Sequence, residues 1–139
     1  MENQNTYNGW TNYATWRVNL ECFDGWDIDS TFSRDEWLEI INEKISNALT
    51  KSGDIVDEEV SINERLFWFK TEMVCYIADY LKALPEEWAS DVKDPTLQGW
   101  LFAWLGDVNW REIAEHHLDV NADYKQALLN IEQGAEELA

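Results

Sequence analysis

The sequence predicts an all-α protein: a compact bundle of about six helices in a single domain over residues 1–139, with one short β-element left open. Three observations predict it. Apolar residues recur at intervals of three and four in several separate stretches, the period of a helix that buries one face. Capping residues stand at the start of those stretches. The chain of 139 residues is 45% hydrophobic and holds nine Trp, five Tyr and five Phe, enough apolar surface for the core of one ordinary domain.

The elements follow in order. In NGWTNYATW, residues 8–16, Asn8-Gly9 supplies a turn and Thr11 or Asn12 an N-cap. Trp16, Leu20 and Phe23 then form a buried stripe at i, i+4 and i+7. Trp10 precedes the cap, where an apolar side chain staples back onto the first helical turn; an exposed Trp10 or Tyr13 touching a partner is the alternative. DGWDIDSTFS, from Asp24, is turn-rich and then extended. Ser33 and Glu36 make a capping box, and Trp37, Ile41, Ile45, Ala48 and Leu49 carry a helix over 34–51. Residues 52–60 read as a loop or a very short strand, so a β-element in 24–33 or 53–60 stays open.

Ser61 and Glu64 repeat the capping box and open the longest helix. Leu66, Phe69, Met73, Ile77, Tyr80 and Leu84 form one stripe; Phe67, Val74, Ala78 and Leu81 form a second, so burial on two sides is expected. Pro85 stops this helix or opens the next turn. Asp94-Pro95 is a cap followed by proline at the first helical position. The segment behind it, LQGWLFAWL, is apolar nearly all round, the mark of a central helix. Asn109 caps NWREIAEHHL with Glu112 at the third position. A last helix from about Asn121 carries Tyr124, Leu128, Ile131, Ala135 and Leu138 on one side.

Charge bounds the function. Twenty-eight acids stand against ten bases, a formal net charge of −18, and the acids are spread along the whole chain. Nucleic-acid binding needs Lys and Arg to displace counterions from phosphates, so direct DNA or RNA binding is excluded as a reading, and anionic membranes are disfavoured likewise. A partner protein with a basic surface is favoured, although acidity that only confers solubility explains the same number. The start MENQNTYNGW lacks a basic stretch followed by an apolar run, and no apolar run is long enough to cross a membrane. Cys22 and Cys75 are far apart and form no metal-binding pattern. The expectation is a cytoplasmic protein with reduced thiols, both serving as small core residues.

No constellation announces catalysis. His116 and His117 are adjacent and point about 100° apart on a helix. Glu112 shares a face with His116, but neither H-E-x-x-H nor Glu-x-x-His is present. There is no G-x-S-x-G, and Gly99 and Gly106 lie in an apolar stretch with no following Lys. Carboxylate pairs such as Glu86/Glu87 and Asp27/Asp29 are what 28 acids produce by chance. The expectation is no enzyme, no cofactor and no metal.

The acids themselves are ordered. Glu36, Glu39 and Glu43 fall at i, i+3 and i+7 opposite the apolar stripe of their helix. Glu112, Glu115 and Asp119 repeat that spacing, and Asp54, Asp57, Glu58 and Glu59 crowd one loop. Successive carboxylates in such rows lie roughly 5–6 Å apart, comparable with phosphates along a strand. Lys44 and Arg111 are the nearest bases, whereas a merely soluble face intersperses both signs.

NGWTNYATW and VNWREIAEHHL, residues 108–118, resemble segments of a family of small proteins encoded by phages and plasmids. The likeness covers about 20 residues. It implies action inside a bacterial host and brings no catalytic residue with it. The acidic profile is similar in class to DNA-mimic anti-restriction and anti-CRISPR proteins. Together these give the expected function: a phage- or mobile-element-encoded inhibitor of a host nucleic-acid-binding defence complex. It would act without catalysis by occupying a Lys/Arg-rich groove with Glu36, Glu39, Glu43, Asp54, Asp57, Glu58, Glu59, Glu112, Glu115 and Asp119, and Trp10 as an apolar anchor. Trp26 and Trp88 are the other candidate anchors. The alternative is a non-mimic interaction module that uses a Trp-rich surface.

Overall fold

A computed structural model describes residues 7–135. Seven α-helices are described: α1 (Tyr13–Val18), α2 (Ile28–Thr31), α3 (Arg34–Ser52), α4 (Glu58–Ser90), α5 (Pro95–Gly106), α6 (Trp110–Asp119) and α7 (Ala122–Glu132). A five-residue π-helical turn, Asn19–Phe23, continues α1. The fold is all-α, as the periodicity implies. Among the described residues no strand forms, and the isolated pairing of Tyr7 with Trp10 is the nearest approach to one. The stretch held open for a β-element, 24–33, contains α2 instead, capped by the Asp27 carboxylate on the Ser30 N–H. The described residues group into two compact units.

One unit is Asp27–Cys75 with the chain from His117. Ser33 and Glu36 complete the capping box of α3, and Trp37, Ile41, Ile45 and Ala48 are buried along its inner face. Trp37 sits parallel to Phe32 at 5.5 Å, and its indole N–H donates to Asn121 Oδ1 at 3.0 Å. The same oxygen caps α7 by accepting the Tyr124 N–H, so one buried side chain satisfies both a tryptophan and a helix terminus. Phe69 and Met73 of α4 complete this core, with Phe69 stacked on Tyr124. α4 starts at Glu58, earlier than the Ser61 box suggests. Asp57 bonds the Val60 N–H and opens the helix, while Ser61 is buried inside its first turn. α7 ends at Glu132, so Ala135 lies past it, and Leu138 falls outside the described residues.

The other unit comprises the described residues up to Trp26 together with Tyr76–His116. The stripe Trp16/Leu20/Phe23 is only partly realised: Phe23 is buried, but Trp16 is half-buried and Leu20 exposed. The π turn is the reason. Its wider turn departs from the 3.6-residue period on which a stripe at i, i+4 and i+7 depends. On α4, Ile77, Ala78 and Leu81 are buried, whereas Tyr80 of the first stripe and, further back, Phe67 of the second are exposed, so neither stripe is complete. Pro85 does not end the helix, which continues to Ser90. A helical proline cannot donate to the carbonyl four residues before it, and here the ring is buried, a packing gain that offsets the lost bond.

Candidate interaction surfaces

NGWTNYATW turns out to be one half of a polar clamp. Asn8 and Gly9 both take positive φ (49° and 86°), and Tyr7 and Trp10 exchange backbone hydrogen bonds across that turn. Asn12 caps α1 through the Thr15 N–H and donates from Nδ2 to the Asp107 carbonyl at 2.8 Å. Thr15, fully buried, donates its hydroxyl proton to Asn12 Oδ1 and accepts the Asn109 N–H at 2.8 Å. Asn109 in turn donates from Nδ2 to Thr11 Oγ1 and accepts the Glu112 N–H at the start of α6. Both carboxylate oxygens of Glu112 accept from the Thr11 N–H, at 2.9 and 3.2 Å. Trp10 is half-buried against the His116 ring, while Tyr7 packs on Tyr13 and Trp16. The segments NGWTNYATW and VNWREIAEHHL are therefore partners of each other.

The acidic residues fall into different settings. Glu36, Glu39 and Glu43 are exposed on α3; Glu36 also closes its capping box, and Glu43 lies 3.2 Å from Lys44. Asp54 is exposed in the loop before α4. Asp57, Glu58 and Glu59 line one surface depression of about 640 Å³ with Ile62, Asn63, Leu66 and Glu132, four carboxylates without a basic side chain among them. Glu115 and Asp119 are exposed on α6, but Glu112 is half-buried and engaged in the clamp. Among the described residues no group of His, Cys, Asp and Glu is placed to hold a metal ion, and no helix is long and apolar enough to cross a membrane.

The largest departure from expectation is α5. Its segment LQGWLFAWL reads as a central helix, yet only Leu105 is buried. Asp94 caps it on the Thr96 and Leu97 N–H groups. Leu97, Trp100, Leu101, Phe102 and Trp104 are exposed, Trp100 to 68%, and α5 carries no charged residue. Trp88 of α4, in the same unit, is 55% exposed.

A groove of about 330 Å³ is lined by Val18 and Cys22, by Pro85, Trp88 and Ala89, and by Leu101 and Trp104 among others. Its charged lining residues are Arg17 and Glu21, which pair with each other at 2.8 Å. Cys22 is half-buried there. Burial, reinforced by the neighbouring Glu21 carboxylate, pushes its thiol above the usual thiol range, so it stays protonated at neutral pH. Cys75 is exposed, so neither thiol is the small core residue expected.

No family model, curated protein or solved structure matches the chain.

Trp10 and Trp26 are half-buried, and Trp26 packs against Phe23 and Tyr80. Of the three anchors named from sequence, Trp88 is the exposed one. Trp100 and Trp104 were missed because an apolar helix without a polar face reads as core. The signal available was redundancy, since the stripes on the other helices already supply a core.

Proposed function

We propose that the protein is a non-catalytic interaction module that docks a partner protein through the apolar face of α5. The observation that carries this reading is five large apolar side chains exposed on one uncharged twelve-residue helix. Contiguous exposed apolar surface on an otherwise charged protein marks interaction sites, and interface hot spots are rich in tryptophan. The net charge of −18 adds selection: it speeds encounter with basic partners and repels acidic ones.

A second reading is favoured by the depression at Asp57, Glu58, Glu59 and Glu132, whose four carboxylates have no basic lining residue. In it, the acids imitate nucleic-acid phosphates and block the Lys/Arg-rich groove of a host restriction or CRISPR complex in a bacterial cytoplasm.

Affinity capture separates the two. Tagged protein is compared with Trp100→Asp and with the triple change Asp57→Lys, Glu58→Lys, Glu59→Lys, each washed at low and then high salt. Docking through α5 predicts a partner that survives the high-salt wash and is lost from Trp100→Asp alone. A partner released by salt, lost from the triple variant and indifferent to Trp100→Asp overturns the α5 reading and supports mimicry.

A further inference from the structure

The groove beside α5 constrains its occupant more tightly than the exposed face of that helix does. The argument rests on reading α5 as a docking face. The groove walls offer few hydrogen-bonding groups: apart from the Cys22 thiol and the Trp88 and Trp104 indoles, the polar side chains that line it are Arg17 and Glu21, which pair with each other at 2.8 Å. A segment laid along such walls must bring a backbone whose polar groups are already paired, since each one stranded costs about 1–3 kcal/mol. A polyproline segment has no internal hydrogen bonds and fails this condition. Strand addition needs an exposed sheet edge, and the described residues contain no strand. A helix meets the condition outright.

The spacing agrees. Along α4 the groove is walled by Pro85, Trp88 and Ala89, at i, i+3 and i+4, about one turn or roughly 6 Å, with Val92 just past the end of the helix. A facing helix would seat its own anchors at the same period. Charge decides the rest of the partner's chemistry. The described residues of the unit that contains the groove hold ten acids against four bases. A second copy of the chain would bring another −18. A bilayer is disfavoured because α5 lacks the Lys and Arg that line the polar side of interfacial helices.

We infer that the groove walled by Val18, Cys22, Pro85, Trp88, Leu101 and Trp104 docks a basic amphipathic helix of a partner protein. The apolar face of that helix enters the groove, and the Lys/Arg at its flanks are attracted by the net negative charge of the unit.

The test uses the full chain carrying Cys75→Ser, so that Cys22 reports on the groove. The probe is a synthetic helix of about 18 residues, five turns, with Leu at i, i+3, i+4 and i+7 and Lys elsewhere. Comparators are the same peptide with Glu for Lys, a Lys-containing Pro-rich peptide, zwitterionic phosphatidylcholine vesicles, and the protein alone at rising concentration. Affinity is read by fluorescence anisotropy, and occupancy by the rate of Cys22 alkylation with iodoacetamide at mildly alkaline pH. The Lys/Leu helix is expected to bind and to slow alkylation by about tenfold or more at saturation. Leu101→Glu, shown to be folded by circular dichroism, is expected to weaken binding by about tenfold, a loss of about 1.4 kcal/mol. Trp88→Ala, at an exposed position, replaces it if that variant does not fold.

Binding that leaves Cys22 unprotected, or that ignores both substitutions, is surface charge attraction and overturns the inference. So does equal protection by the Glu/Leu helix, the Pro-rich peptide, the vesicles or self-association. If these fail while Trp100→Asp still loses its captured partner, the docking face stands without the groove. If both fail, the α5 reading itself falls.

Discussion

At the scale of single residues, Thr15 shows how a small polar group can organise much of a unit. Its hydroxyl donates to Asn12, the cap of α1, and accepts the backbone N–H of Asn109, the residue that caps α6. Removing that oxygen would leave the part-buried Asn109 N–H without its acceptor, which costs about 1–3 kcal/mol. Thr15→Val is therefore expected to destabilise by that amount, while Thr15→Ser, which keeps the hydroxyl, loses much less. Urea denaturation with an unchanged slope for both variants checks it. A loss in Thr15→Ser with little or none in Thr15→Val would mean that the methyl group, not the hydrogen bonds, matters at this position. The sequence shows that Asn12 and Asn109 can cap. It does not show that their side chains also hold each other's segments, because separations of 94 to 101 residues leave no local pattern.

At the scale of elements, the helices with a clear polar face were legible. The α3 capping box, the buried positions Trp37, Ile41, Ile45 and Ala48, the Asp94-Pro95 start of α5 and the Asn121 cap of α7 all follow from spacing and side-chain chemistry. Three features were not. The π turn changes the period just past α1, Pro85 is carried inside a helix, and α5 exposes what its composition suggests it should bury. Each departs from a local rule because tertiary packing decides, and for α5 the departure is what exposes the candidate docking face. Stability tests separate the two kinds of tryptophan. Trp37→Ala should lose about 3–5 kcal/mol, since it empties a core position and leaves Asn121 short of a donor. Trp100→Ser, on an exposed face, should stay within about 0.5 kcal/mol of the parent in chemical denaturation. A loss of several kcal/mol at Trp100 would mean that α5 is structural and remove the basis for a docking face.

At the scale of the whole molecule, the charge of −18 acts on folding and on binding with opposite signs. Self-repulsion opposes the compact state, and salt relieves it: the screening length falls from about 30 Å at 0.01 M to about 3 Å at 1 M. Thermal stability should therefore rise with NaCl, by several degrees if about 1–2 kcal/mol of repulsion is removed. The rise should level off once screening is short-ranged, whereas a general salting-out effect would keep growing. The same salt should slow association with a basic partner, because long-range steering is screened, while apolar contacts at α5 persist. Stopped-flow association and calorimetry across one salt series test both together. A melting temperature that rises and then levels while the association rate falls and the dissociation rate holds is the expected pair. If dissociation accelerates in parallel with the slowed association, the bound state itself is held by charge, and the weight of the argument shifts from the tryptophans of α5 to the carboxylates at Asp57, Glu58 and Glu59.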